Sequence, residues 1–146
     1  MFFQWWSDRL NNNIGTYITP NSNEVRAFSK KIDASGDTHT NVINTWGTVR
    51  NNIQYKLSKK WKTPNETLSS GDGDCEDYTF LLCSLFPLVG VKEAKIHAGN
   101  LVGNKNNNEY HAWAEVNGMV VDATTTPTHA KELTYEPVTT TTLTYK

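Results

Sequence analysis

Cysteine is scarce here: two in 146 residues, too few for a disulfide framework. An excess of charge is missing too. Fourteen basic side chains against 15 acidic ones leave a net charge of −1 at neutral pH, which argues against a nucleic-acid or anionic-membrane surface. The densest basic cluster, Lys59, Lys60 and Lys62, reads as a solvated face. Long apolar runs are absent. The opening MFFQWWSDRL is apolar for only a few residues and has no basic segment ahead of them. It is neither a signal peptide nor a transmembrane segment, and a cytoplasmic setting is the expectation. There is no internal repeat and no composition shift that would mark a second domain.

What is present suits one globular domain. Hydrophobic residues make up 37% of the chain and aromatics 11%, enough to bury a core at this length. The division expected within residues 1–146 is an N-terminal arm over 1–20, a core over about 21–126 and a Thr-rich strand or tail over 127–146. The aromatic arm is expected to dock on this domain, with a protein partner as the second possibility.

Helical spacing of Val25, Phe28 and Ile32 predicts a helix over 24–35, stopped by Gly36. Val42, Trp46, Val49 and Ile53 predict another from Thr40 to about Asn52. Ile53 to Leu57 alternates like a short strand. Thr63-Pro64-Asn65-Glu66 carries a capping-box signature with proline at the first helical position. Strands are expected at Ala94–Val102 and Glu109–Val116 around the loop Gly103–Asn108. Asn117-Gly118 then turns a hairpin whose return strand covers Met119–Thr124. The tail from Val138 to Tyr145 has the propensity of an edge strand. Helices first and strands later predict an α+β fold.

The chemically odd stretch is GDGDCEDYTFLL, Gly71–Leu82, where Cys75 lies among Asp72, Asp74, Glu76 and Asp77. Nearby negative charge disfavours a thiolate. A helix starting at Asp74 accounts for the acids as N-terminal carboxylates and puts Cys75 in the first turn, where free amides and the dipole favour an anion. The dipole supplies only about 0.3–1 kcal/mol, so a cation is still needed. Cys83, on the same helix, would stand about 12 Å away at 1.5 Å per residue, beyond disulfide reach. It reads as a small buried hydrophobe.

The hairpin offers the cation. A two-residue turn pairs Val116 with Met119 and therefore Trp113 with Asp122, so His111, Trp113 and Asp122 share a sheet face. Diagonal neighbours are about 7–8 Å apart, within side-chain reach. Asp122 then accepts from one imidazole nitrogen of His111 and the other faces Cys75. Thiol, imidazole and orienting carboxylate form a triad of nucleophilic catalysis, and an imidazolium beside the sulfur stabilises thiolate against acids that face solvent. His39, His97 and His129 have no such context.

Gly73-Asp74-Cys75-Glu76-Asp77-Tyr78, His111-Ala112-Trp113 and Asp122 before a Thr run together resemble the transglutaminase-like superfamily, over roughly residues 40–125. Trp61-x-x-Pro64-x-Glu66-Thr67-Leu68 resembles a microbial branch of it. The resemblance implies a papain-like core, with a nucleophile-bearing helix packed on an antiparallel sheet. It implies Cys75 as nucleophile, His111 as general base and acid, and Asp122 as orienter. No motif assigns the oxyanion donor. The Cys75 amide is one candidate, and the Trp61 indole and Gln54 amide are others. Trp113 is expected to pack beside the site, with a substrate contact as its second reading. Some bacterial peptidases with a similar DCED motif bind calcium near the nucleophile, so Asp74, Glu76 and Asp77 are the residues that would hold it here. Helix capping is the preferred role, and no cofactor is expected.

These readings converge on a thiol-dependent amide or isopeptide hydrolase acting on a peptide or protein through a thioester. Transglutaminase-type acyl transfer to an amine is the first alternative. A non-catalytic interaction module that keeps the fold is the second.

Overall fold

Capping residues decide where most helices begin. The computed structural model describes residues 2–102, 108–125 and 133–146. Within them, α1 runs Phe2–Asn12, α2 Ile14–Tyr17, α3 Asn23–Ser29, α4 Thr38–Asn52, α5 Pro64–Ser70 and α6 Cys75–Leu85. The Ser22 hydroxyl accepts from the Val25 amide to start α3, and Asp37 accepts from Thr40 to start α4. Thr63 and Glu66 close the expected capping box on α5, with Pro64 at its first position.

The third helix is shorter than the expected 24–35. Beyond Ser29 the amides of Lys30, Lys31 and Ile32 bond three residues back, to Ala27, Phe28 and Ser29, so the chain tightens and leaves the α-helical path. Ile32 stays buried. Its spacing therefore marks burial and not a helical conformation. The strand expected at Ile53–Leu57 is reduced to β1, Gln54–Tyr55, which pairs in parallel with β2, Asp72–Gly73.

α6 is the centre of the structure, because all of its residues are buried. A 3-10 turn at Phe86–Val89 ends it, and Gly90 follows in a left-handed conformation. The helices α3, α4 and α5 pack around α6, and the main sheet lies against it. That sheet has β3 (Glu93–Val102), β4 (Asn108–Val116), β5 (Met119–Val121) and β6 (Thr134–Thr144) in the antiparallel order β5-β4-β3-β6. The fold is α+β, a helix packed on an antiparallel sheet. The Thr-rich tail supplies the edge strand β6, beginning earlier than expected. Of the loop expected at Gly103–Asn108, residues 103–107 lie outside the described residues, as do Thr126 and His129.

The hairpin turns at Asn117 and Gly118 (φ 51° and 80°) and sets the expected register of Val116 against Met119. The return strand is shorter than Met119–Thr124, and α4 is the reason. The Trp46 indole donates to the Asp122 carbonyl at 3.0 Å, and Arg50 donates to the Ala123 carbonyl at 3.2 Å. Carbonyls held by α4 are withdrawn from the ladder, so pairing ends at Ala114 and Val121.

The N-terminal arm is helix α1. It packs on this domain against β3 and β6, with Trp6 and Leu10 fully buried, while Phe2 and Trp5 stay about half exposed at 51% and 49%. Among the described residues no helix is long and apolar enough to cross a membrane.

The β3–β6 register slips between Ala98 and Gly99, leaving Val138 as an extra residue beside Pro137. Such bulges and prolines belong to edge strands. Here the approach is so close that a Cβ on Gly99 would lie 2.1 Å from the Glu136 carbonyl oxygen. Gly99→Ala should therefore destabilise the protein by about 1–3 kcal/mol, as overpacking does. Gly47→Ala, in open space on α4, should instead stabilise by about 0.5–1 kcal/mol. Urea unfolding midpoints with unchanged slopes check both. A neutral Gly99→Ala would contradict the bulge.

Candidate active site

Cys75 occupies the first position of α6 because Asp74 and Asp77 build a reciprocal cap around it. The Asp74 carboxylate accepts from the Asp77 amide, and Asp77 accepts from the Asp74 amide at 3.1 Å. Their remaining oxygens accept from the Ser58 amide at 3.3 Å and the Lys62 amide at 2.8 Å, which ties the preceding loop to the helix start. Gly73 is needed for this closure. A Cβ there would sit 2.6 Å from the Asp77 Cβ.

The side chains of α6's first turn replace a strand at the edge of β4. Below Ala114 the β5 ladder has ended, leaving the backbone of Ala112 unpaired on that side. The Ala112 amide lies near the Cys75 sulfur and favours its charged form. Thr79, one turn along α6, donates to the Cys75 carbonyl at 2.7 Å and reaches the Ala112 carbonyl at 3.3 Å. The helix start that bears the sulfur thus lies beside the strand that carries His111.

The acids do not face solvent as expected. Asp74, Glu76 and Asp77 are all buried, since α6 is enclosed at its N-terminus as well as along its length. Glu76 also points at the sulfur, with Sγ 3.7 Å from its Oε1. Its Oε2 accepts from the Trp61 indole at 3.0 Å and the Tyr110 hydroxyl at 2.6 Å. The Trp6 indole donates in turn to Tyr110, which links α1 to this network. Burial pushes the Glu76, Asp74 and Asp77 carboxyls up. Burial and then the Glu76 charge push the Cys75 thiol well up, and the Ala112 amide opposes them. These influences favour the neutral thiol and oppose the Cys75–His111 ion pair that the sequence suggests.

The imidazole and its carboxylate sit where the hairpin register predicts. His111 Nε2 lies 2.8 Å from Asp122 Oδ2, both buried. Asp122 Oδ2 also accepts from the Tyr135 hydroxyl at 2.8 Å, and Oδ1 accepts from the Thr124 amide at 3.0 Å and its hydroxyl at 2.6 Å. Burial is the largest influence on Asp122 and raises it. The hydrogen bond and charge of His111, with Thr124 and Tyr135, outweigh that and hold the carboxyl below its usual value. With Nε2 engaged, Nδ1 is the nitrogen left for other chemistry. Cys75, His111 and Asp122 line one cleft of about 510 Å³, with Tyr55, Tyr110 and Thr124.

Other candidates fall elsewhere. Trp61 is buried with its indole N–H committed to Glu76. Gln54 is exposed on β1 and does not line the cleft. Trp113 is buried and stacks on His111 with centroids 6.2 Å apart, so it packs beside the site. His97 lies on β3 between Thr140 at 2.7 Å and Glu115 at 2.8 Å. His39 is exposed. Cys83 is a buried free thiol. No group of three or more His, Cys, Asp or Glu side chains among the described residues is arranged to hold a metal ion, and the acids of the motif are occupied by amide, indole and phenol donors. Sequence reasoning missed Tyr110, Tyr135 and Tyr55. Tyr110 was open to inference, since it precedes His111 on one strand and must project to the opposite face. Tyr135 depends on the β6 register, which no local pattern encodes.

The thiol thus stands at a buried helix start, beside a strand bearing a carboxylate-bound imidazole. The chain belongs to the transglutaminase-like superfamily, whose core matches residues 26–122. A solved structure of a candidate cysteine protease from Cytophaga hutchinsonii is similar at a TM-score of 0.62 and 14% identity. The similarity covers 89% of this chain and 48% of that one, so it is a likeness of fold, and the present chain spans about half the length of that protein. No curated protein matches the chain.

Glu76→Gln removes the charge beside the sulfur and keeps an oxygen for Trp61 and Tyr110. The alkylation profile of Cys75 with iodoacetamide, followed by peptide mass spectrometry, should move to lower pH. Because the Glu76 carboxyl is raised on folding, its ionised form costs stability at neutral pH and regains it as pH falls through the folded value. The amide should accordingly leave the melting temperature unchanged or raise it. An unmoved alkylation profile would show that Glu76 does not govern the thiol.

Proposed function

We propose that this protein is a thiol-dependent amide or isopeptide hydrolase acting on a peptide or protein substrate through Cys75, His111 and Asp122. The observation that carries the reading is the buried His111–Asp122 hydrogen bond at 2.8 Å in the cleft that Cys75 also lines. An Nε2–H donated to Asp122 leaves Nδ1 unprotonated and ready to act as a base.

The thiol is neutral at rest, so its proton leaves as the sulfur attacks. His111 Nδ1 accepts that proton while the S–C bond forms, and the carbonyl oxygen takes the negative charge beside the Cys75 amide. Collapse of this intermediate expels the amine, which takes the proton back from His111, and leaves a thioester on Cys75. Water, deprotonated by the same nitrogen, then attacks the thioester. The carboxylic acid departs, and the returning proton restores the thiol. Asp122 keeps the imidazole in the productive tautomer and stabilises its cationic form. Asp74, Glu76 and Asp77 act as caps and hydrogen-bond acceptors.

With an activated acyl ester and excess primary amine, the expected product is mainly free acid, and Cys75→Ala should give neither acid nor amide above background. Predominant amide would establish acyl transfer instead. If Cys75 is alkylated but no acyl-enzyme is trapped with any acyl class, the fold serves as an interaction module.

A further inference from the structure

The proposed hydrolysis still lacks a side-chain donor for the oxyanion, and assigning one rests on that reading of the site. Neither sequence candidate occupies the place, since the Trp61 indole is bound to Glu76 and Gln54 does not line the cleft. The neighbour of Gln54 does. Consecutive strand residues point to opposite sides, so β1 turns Tyr55 into the cleft beside Cys75 and His111 as it turns Gln54 away.

Several contacts fix that ring. Tyr55 pairs with Gly73, just ahead of the capped helix start, and the flanking Gln54 and Lys56 amides donate to the Gly71 and Gly73 carbonyls at 2.9 Å. The ring stacks on Tyr78 with centroids 6.2 Å apart and planes 20° from parallel. Tyr78, whose hydroxyl donates to the Ile53 carbonyl at 2.7 Å, lies one turn from Cys75 on the same helical side. The two-residue β1–β2 bridge is too short to stabilise a sheet, and its consequence is to hold residue 55 against the first turn of α6.

The other phenols near the site are engaged, Tyr110 on Glu76 and Tyr135 on Asp122. The Tyr55 ring stays about half exposed, open to an incoming carbonyl. Burial above all, with the acidic surroundings adding to it, pushes its hydroxyl up to about 12. It therefore remains a donor at every pH at which the protein is folded near neutrality.

We propose that the Tyr55 hydroxyl is the side-chain donor of the oxyanion hole, acting with the Cys75 backbone N–H on the tetrahedral intermediate. Donor loss should slow acylation and leave the thiol itself untouched, because alkylation develops no oxyanion.

The test compares wild type and Tyr55→Phe, which keeps the stack on Tyr78, in two reactions of Cys75. Acylation by p-nitrophenyl acetate should fall on the order of 10²- to 10³-fold, as for removal of one oxyanion donor. Alkylation by iodoacetamide, and the melting temperature, should be unchanged. Equal acylation of the two proteins would overturn the proposal. A matching loss in alkylation would also overturn it, since Tyr55 would then act on the sulfur. If wild type is alkylated yet is acylated by no activated ester, the hydrolase reading fails and the role of Tyr55 with it, an outcome distinct from the first two.

Discussion

The backbone of Ala112 is where helix and sheet are joined, and the site depends on that junction. An unpaired amide and carbonyl at a buried sheet edge are costly, and here α6 covers that edge, with the Thr79 hydroxyl reaching the Ala112 carbonyl and Cys75 lying near the amide. This works because β5 stops early, and β5 stops because Trp46 and Arg50 of α4 hold the next two carbonyls. The same departure frees Asp122 to curl toward His111. One truncated ladder therefore positions the sulfur, opens its access to the imidazole and delivers the carboxylate.

The acidic surroundings of Cys75 look different once their partners are known. Burying carboxylates is expensive unless each is hydrogen-bonded. Asp74 and Asp77 answer one another's amides and those of the loop at Ser58 and Lys62. Glu76 takes indole and phenol donors, one of which is itself held by Trp6. The aromatic N-terminal arm is thus connected through two hydrogen bonds to the carboxylate that touches the thiol. A helix with few buried residues contributes to the electrostatics of a cleft it does not line.

Much of this was legible because it is local. Thr63 and Glu66, and Asp74, announce helix starts through their own hydrogen bonds, and Asn117-Gly118 fixes a register from which the shared face of His111 and Asp122 follows. What escaped depends on distant parts of the chain. Nothing near Asp122 says that α4 will claim its carbonyl, and nothing near Glu76 says that Trp61 and Tyr110 will enclose it. The assumption that the acids face solvent came from helix-terminus preference, which is silent about whether that terminus is buried. Gln54 was a candidate for the cleft, and its neighbour Tyr55 is the residue that lines it. One residue on a strand decides which side chain enters the cleft, and a two-residue strand is too short to show its alternation.

The neutral thiol gives the proposed reaction a particular order. Where imidazolium and thiolate form a stable pair, the nucleophile exists before substrate arrives. Here Glu76 and burial oppose that charge separation, so in the proposed reaction sulfur attack and proton transfer to His111 coincide. Asp122 matters most at that moment, because its depressed carboxyl remains an anion facing the imidazolium as it forms. In the proposed reaction, the charges that develop on the carbonyl oxygen and on His111 each meet a partner already in place. A buried sulfur held as a thiol is also less open to alkylation and oxidation at rest, since thiolate is the reactive form. On the proposed reading, the carboxylate that opposes the Cys75 thiolate confines its reactivity to the encounter with a bound carbonyl.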